Sequence, residues 1–342
     1  MLLAIHHRAG SFSDRWIAYC KKQNIPYKIV NAFDSNIIEQ VKDCDVFMWH
    51  HNHTSFKDAL TAKRILFALE HAGTKVFPDF KTGWHFDDEV AQKYLLEAIG
   101  APLVPSYVFY DRQEALDWAK KTTFPKVFKL KGGSGSSNVR LVKSSRKAKK
   151  LIKTAFGRGF SQSSRIHVFK EHLRKVKEGK QGLLLGLAKA FYRLFVLSDY
   201  AKQQQLEKGY VYFQDFSPNL DSDMRIQVIG ERIFGLKRFI RENDFRASGS
   251  GNFIEFEPSN IDFRVLNEAL SLIKKVESQC LTIDFIYVDG MPKIVELSYG
   301  FPTEFYDNCP GYWDSELNWH EGKFNPQEWM IENIVNDLRD YK

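Results

Sequence analysis

Cysteine is scarce. The 342 residues contain only Cys20, Cys44, Cys280 and Cys309, far apart and in no CxxC pair. That spacing excludes a disulfide framework and a zinc site built on paired cysteines, and it fits a reducing compartment. No run of about 20 apolar residues exists, so the sequence offers no bilayer-spanning helix. The opening MLLAIHHRAG is too short in its apolar part for a signal peptide, and the expected location is the cytoplasm. There is no internal repeat and no low-complexity tract. What is present is ordinary for a globular chain: 44% hydrophobic and 27% charged residues, with length enough for two or three domains.

The net charge of +7 is uneven. Residues 143–180 hold thirteen Lys/Arg against Glu171 and Glu178, so this stretch carries +11 and the remainder about −4. A polyanion-facing surface and solvated helix faces both fit such a run. Nucleic acid is not an expected partner.

Residues 1–85 read as an α/β domain. LLAIHH, YKIVN, DVFMWHH and KVFPD are strand-like. The helices between them are capped at Ser13 or Asp14, open at Asp34, and run over about 55–71. This alternation predicts a parallel sheet flanked by helices. Ligands of open α/β sheets bind beyond the carboxyl ends of the strands, where His6, His7, Arg8 and then His50, His51, Asn52 and His53 fall. Hydrogen bonding to a substrate and plain structural roles both suit them. Adjacent histidines on a strand face opposite ways, so they cannot all ligate one metal ion.

A helix over 87–99 stops at Gly100. VPSYVFY is a strand, Asp111 caps a helix with Glu114 at its third position, and FPKVFKLK is another strand. VRLV and the helix-like SSRKAKKLIKTAF precede a poorly patterned region up to about Gly209. Strands then dominate: YVYFQDF, MRIQVIG, RIFGLKRFI and NFIEFEP. A helix over 262–279 precedes the hairpin LTIDFIYV and KIVELSYG, which turns at Asp289-Gly290. Asn325, Pro326 and Glu328 supply cap, first and third positions of a closing helix.

Chemistry concentrates in a few stretches. In FKLKGGSGSSNVRLV, residues 128–142, Lys129 and Lys131 precede Gly132, Gly133, Ser134, Gly135, Ser136 and Ser137. Glycines let a backbone approach an anion, and successive N–H groups form an anion-binding concavity. The familiar phosphate loop ends in Gly-Lys-Ser/Thr and opens a helix. Here the lysine comes first and a strand follows, so a hairpin with a mobile Gly/Ser tip is the other reading. In YVYFQDF, Gln214, Asp215 and Phe216 suit a hinge that meets an adenine edge and a ribose hydroxyl. Asp223 and Arg225, then Lys237, Arg238 and Arg246, supply groups that neutralise phosphate oxygens and developing charge. Asp284 and Glu296 lie on the two arms of one hairpin, where both carboxylates can face one point and hold Mg²⁺.

In this order, residues 86–301 resemble the ATP-grasp superfamily, close in pattern to its carboxylate–amine ligases. Examples are D-alanine–D-alanine ligase, glutathione synthetase and the enzymes that add glutamate to a ribosomal protein. LLEAIGAPLVP is similar to the opening helix and its turn, and FPKVFKLKGGSGSSNV to the strand, lysine and phosphate-covering loop. VYFQDF resembles the hinge, DMR the D-x-R element, and NDFRASGSGN the segment that follows. IDF and IVELS resemble the two metal-bearing strands.

The resemblance implies ATP and Mg²⁺ clamped between two antiparallel lobes, residues 86–213 and 214–342, beside the 1–85 domain. Lys129, with Lys131 and Lys237, would meet phosphates and Gly132 to Ser137 would close over them. Gln214, Asp215 and Phe216 would surround adenosine. Asp284 and Glu296, with Ser298 where the family usually has asparagine, would hold the metal. Arg246, Arg225 and Arg238 would face the reacting groups. A second departure is Glu89, where a lysine often stands; Lys93, one turn on, is either its substitute or a solvated helix lysine. The implied reaction is phosphoryl transfer to a small-molecule or sugar-acid carboxylate, followed by attack of an amine. A phosphotransferase and a non-catalytic nucleotide-binding scaffold are the alternatives.

Two segments are unusual. Residues 157–209 read as an insertion, and within it LLLGLAKAFYRLFVL (183–197) places Lys189 and Arg193 on one helix face. A buried helix and one lying on an anionic membrane surface both suit it. The aromatic tail, with Tyr312, Trp313, Trp319 and His320, suits either stacking on a sugar or packing at a seam. The first option accords with a loose similarity to ATP-grasp proteins of surface-polysaccharide synthesis.

Overall fold

The structure, a computed structural model, describes residues 1–132, 138–161, 206–240 and 254–340. Gly133, Ser134, Ser136, Ser137, Arg246 and the apolar run 183–197 with Lys189 and Arg193 lie outside the described residues.

Strand β1 (Leu3–His6) pairs in parallel with β2 (Tyr27–Val30) and β3 (Val46–Met48), and β3 with β4 (Lys75–Phe77), in the order β2-β1-β3-β4. Successive side chains leave a strand on opposite faces. Leu3, Ile5, Val46, Met48 and Phe77 therefore join one core with α1 (Phe12–Lys22), while Ala4, Phe47 and Val76 join another with α2 (Ile37–Val41) and α3 (Phe56–His71). Two helix starts differ from expectation. Ser11 caps α1, because the Ser13 hydroxyl already accepts the Arg8 N–H. Helix α2 begins at Ile37, because the Asp34 carboxylate is engaged by Asn31 in the preceding turn and by Gln40 of the helix.

After the short α4 (Phe80–Gly83) and α5 (Glu89–Ala98) comes a small antiparallel sheet. Its strands are β5 (Ser106–Phe109), β6 (Lys126–Lys129), β7 (Arg140–Val142) and β8 (Val211–Asp215), in the order β5-β8-β6-β7. Phe128, Val142, Val211 and Phe213 pack on α6 (Arg112–Lys121) and α7 (Ser145–Ala155). The alternation leaves Val127, Lys129 and Gln214 on the other face. Strands β6 and β7 on either side of the glycine-rich stretch pair antiparallel, with Phe128 opposite Arg140. The expected insertion leaves and returns at one point, where Phe160 and Glu207 exchange both backbone hydrogen bonds at 2.8 Å.

The large sheet comprises β9 (Ser222–Ile229), β10 (Arg232–Phe239), β11 (Ile254–Glu255), β12 (Cys280–Val288), β13 (Met291–Ser298), β14 (Gly311–Trp313) and β15 (Trp319–Glu321). Its order is β13-β12-β9-β10-β14-β15, with β11 also on β10, and every pairing is antiparallel. Met224, Ile226, Val228, Leu281, Ile283, Phe285 and Ile294 pack on α8 (Phe263–Val276) together with Leu96 of α5. The opposite face carries Asp223, Arg225, Asp284 and Glu296. The β12–β13 turn has positive φ at Asp289 (50°) and Gly290 (74°), as a tight two-residue hairpin turn requires. A bulge follows: Asp284 pairs with Glu296 and Phe285 with Ile294, leaving Val295 over. That extra residue puts Ile294 in the core and Glu296 on the polar face.

The first core does not end at the parallel sheet. It continues through Ile229, Phe234 and Leu236 of the large sheet to Met330, Ile331 and Ile334 of α9 (Pro326–Asp340). Arg15 adds a two-pronged bond to Asp307 at 2.7 Å, and the Tyr19 hydroxyl donates to Glu332 at 3.0 Å. The small sheet has a separate core. The tail aromatics pack rather than open: Tyr312 stacks on His320 at 5.0 Å, and Trp313 and Trp319 join the core under the large sheet. No helix among the described residues is long and apolar enough to cross a membrane.

Candidate functional site

The three sheets enclose one cavity of about 580 Å³. That is the size of a small-molecule site. The large sheet supplies Asp223, Arg225, Arg238, Asp284 and Glu296, and the small sheet supplies Val127, Lys129 and Gln214. The loops beyond β1 and β3 supply Arg8 and residues 50–54, and residues 300–303 complete the wall.

Strand pairing aligns the charges. Asp284 of β12 lies opposite both Glu296 of β13 and Arg225 of β9, and Asp223 of β9 lies opposite Arg238 of β10. Opposite residues in an antiparallel pair sit close enough to bond. Arg225 grips Asp284 through Nε and Nη2, both at 2.7 Å. Arg238 grips Asp223 at 2.7 and 2.5 Å and reaches Asp284 Oδ2 at 2.9 Å. Burial works against the Asp284 charge, but the two guanidiniums outweigh it and hold the carboxyl below its ordinary range. Burial pushes Asp223 up to about 6 despite Arg238. Glu296 has no hydrogen bond or ion pair among the described residues, and burial together with Asp284 raises its pKa. Its carboxyl oxygens are thus the uncommitted acceptors of this cluster among the described residues.

Across the cavity, Lys129 is 5% exposed and bonds Glu89 Oε2 at 3.0 Å and the Val295 carbonyl, freed by the bulge, at 3.5 Å. Burial drives the Glu89 carboxyl up to about 7, with Lys129 opposing and Glu296 adding to the rise. Burial opposes the Lys129 charge, yet Glu89 and Glu296 hold it firmly protonated. Gln214 is fixed by a buried chain, Nε2 donating to Ser106 Oγ at 3.2 Å and to the Tyr212 hydroxyl at 3.4 Å. Asp215 lines the cavity while its carboxylate accepts from Lys126 at 2.6 Å, and Phe216 lines it beside them. Ser298 also lines the cavity; its hydroxyl donates to the Gly300 carbonyl at 3.0 Å and accepts the Gly300 N–H at 3.1 Å.

Three sequence candidates stand elsewhere. Lys131 is exposed, and its backbone N–H donates to the Tyr210 hydroxyl while its carbonyl accepts from Glu89. Gly132 is buried, with its carbonyl bonded to Asn138. The Lys237 ammonium lies over the Phe239 ring at 4.9 Å. Lys93 replaces neither of the two roles expected for it: it is 8% exposed and pairs with Glu97 at 2.5 Å. Sequence reasoning missed Glu89 as a partner of Lys129 and Asp58 as the anchor of Arg8. Neither carries a local signal, because each partner is about 40 or more residues away. No group of three His, Cys, Asp or Glu side chains among the described residues is arranged to hold a metal alone.

Nearly the whole chain superposes on several solved structures. D-alanine–D-alanine ligase from Bacillus anthracis, solved with ATP, aligns at a TM-score of 0.56 and 12% identity, over 100% of this chain and 98% of that one. N5-carboxyaminoimidazole ribonucleotide synthetase from Thermotoga maritima aligns at 0.60 and 15%, over 98% and 75%. An ATP-grasp RimK domain protein from Sphaerobacter thermophilus aligns at 0.55 and 13%, over 98% and 100%. No protein-family model and no curated protein sequence matches the chain. With its parallel sheet beside two antiparallel ones and its cavity between them, the chain has the ATP-grasp fold.

Proposed function

We propose that the chain is an ATP- and Mg²⁺-dependent ligase that activates a small-molecule carboxylate and joins it to an amine. One observation carries this reading: Lys129, the Asp284–Glu296 pair and the Arg225–Arg238 pair, from distant parts of the chain, line a single cavity. Lys129 and the glycine-rich loop from Gly132 would bind phosphates. Gln214, Asp215 and Phe216 would border the adenosine.

The donor set fits Mg²⁺, which takes one or two carboxylates and completes its shell with phosphate oxygens and water. Glu296 is open to it, and Asp284 keeps lone pairs beside its bonds to arginine. Ser298 would reach the ion only through water, since its hydroxyl closes a turn. Once bound, the ion would neutralise charge on the transferring phosphoryl group. Arg225 and Arg238, preoriented by Asp284 and Asp223, would stabilise the same charge without reorganising. A carboxylate oxygen would form a bond to the γ-phosphorus as the bond to ADP breaks. The amine would then attack the carbonyl carbon, expelling phosphate and losing a proton. Arg246 is proposed for the same face.

The test is ADP formation across paired acids and amines, sugar acids and amino acids included. Turnover should require both partners. Mg-ATP should raise the melting temperature of the wild type, Lys129→Ala should abolish that rise, and Glu296→Ala should abolish turnover while leaving some nucleotide binding. Turnover without an amine would point to phosphoryl transfer alone. The Glu89–Lys129 pair also favours a second reading, a nucleotide binder without turnover. Stabilisation by Mg-ATP with no ADP from any pair would select it.

A further inference from the structure

The wall built by the parallel sheet contains a cation that the ligase reading leaves without a task. Arg8 follows β1, lines the cavity, and has a side chain 36% exposed. It reaches Asp58 Oδ2 and the His50 carbonyl, each at 3.4 Å, and these long contacts use only two of its donors. Asp58 is a fixed anchor, since it also accepts the Asn52 N–H and the Ser55 hydroxyl, both at 2.7 Å. The guanidinium is therefore aimed but not saturated.

His50 stands beside it. Its Nδ1 accepts the Phe12 N–H at 3.1 Å, which puts the ring proton on Nε2, and the ring stacks on Phe12 at 3.6 Å. Burial, with Arg8 adding, lowers its pKa to about 3, so the ring is neutral and Nε2–H is a pure donor. That N–H has no hydrogen-bond acceptor among the described residues, and the residue lines the cavity. The N-terminus of α1, an 11-residue helix starting at Phe12, adds its positive end.

A fixed guanidinium fork beside a second N–H donor is matched by a carboxylate. The reacting carboxylate belongs next to Arg225 and Arg238 on the other wall. Resting on the ligase reading, we infer that a substrate carries a second carboxylate, untouched by the reaction, which Arg8 and the His50 Nε2–H bind. It belongs either to the amine, making that substrate an amino acid, or to the acid, making it a dicarboxylate.

The experiment titrates acetate, malonate and glutamate, with acetamide as control, against thermal unfolding of wild type, Arg8→Gln and Arg8→Lys, with and without Mg-ATP. At least one carboxylate should stabilise the wild type and acetamide should not. Arg8→Gln should raise the half-saturating concentration about ten- to a hundredfold, the range for one charge-assisted bond. Arg8→Lys, which keeps the charge but loses the fork, should fall between them and carries the test if Arg8→Gln does not fold. The Mg-ATP response should stay within about twofold of wild type, because Arg8 does not belong to the phosphate wall. Equal carboxylate responses in wild type and Arg8→Gln, or none in the wild type, would overturn the inference and leave the ligase reading intact. Carboxylate binding weakened by Arg8→Gln but without any Mg-ATP response would keep the Arg8 carboxylate site and overturn the ligase reading, and with it the assignment of that carboxylate to a ligase substrate. With an active substrate pair, replacing one partner's spare carboxylate by an amide and finding the Arg8→Gln effect gone would assign the owner.

Discussion

Glu89 is the residue whose environment most conflicts with its chemistry. It is buried, it faces Glu296, and its relief is the Lys129 ammonium at 3.0 Å. Its folded pKa is about 7 against an ordinary 4.5. Between those values the folded chain keeps a proton that the unfolded chain has released, so stability falls as the pH rises and is level above the folded pKa. Glu89→Gln should flatten this fall by up to about one proton's worth of slope between pH 4.5 and 7, as urea unfolding across that range would measure. An identical slope in the two proteins would refute the assigned shift. The sequence showed Glu89 only as a departure from a family pattern. Its pairing with Lys129 joins helix α5 to strand β6 across 40 positions, a relation that no local spacing encodes. Asp284 and Glu296 were legible as carboxylates on the two arms of one hairpin, although the two-residue turn alone would set Asp284 opposite Val295 and only the bulge brings Glu296 there.

At the scale of elements, α5 links the site to the small sheet. Asp88 caps it, accepting from the Val90 and Ala91 N–H groups at 3.1 and 3.0 Å, and the N–H just before them, of Glu89, donates to the Lys131 carbonyl at 2.7 Å. Asp88→Ala should therefore cost about 1 kcal/mol in chemical unfolding. It should also weaken any nucleotide-induced stabilisation, because the same turn aims Glu89 at Lys129. Loss of stability with a full nucleotide response would detach the cap from the site. Caps and turns of this kind were readable: Ser55, Asp111, Asp262 and Asp289-Gly290 all do what their residue types favour. The bulge at Val295 was not. In an unbroken strand Ile294 and Glu296 would share a face, and only pairing with β12 shows that one is core and the other cavity.

At the scale of the molecule, the order of strands and helices pointed to the parallel sheet and the family resemblance to two antiparallel lobes after it, and that architecture holds. The sharing of cores did not follow from it, because apolar residues of a strand do not name their partners. Phe234 lies in the core shared by β1, α1, the large sheet and α9, packed on Tyr306 at 5.0 Å and Trp329 at 5.9 Å. Phe234→Ala should cost about 3–5 kcal/mol. Hydrogen exchange should show lost amide protection in β1 and β10 together, with β6 and β8 spared. Loss confined to β10 would contradict a common core. That continuity has a mechanical corollary. Two of the three walls of the cavity share one core, and among the described residues the chain crosses from it to the small sheet near residues 99–105 and 216–221. Arg8, Asp284 and Glu296 therefore stand on one continuously packed unit, and Lys129 faces them from the separately packed small sheet.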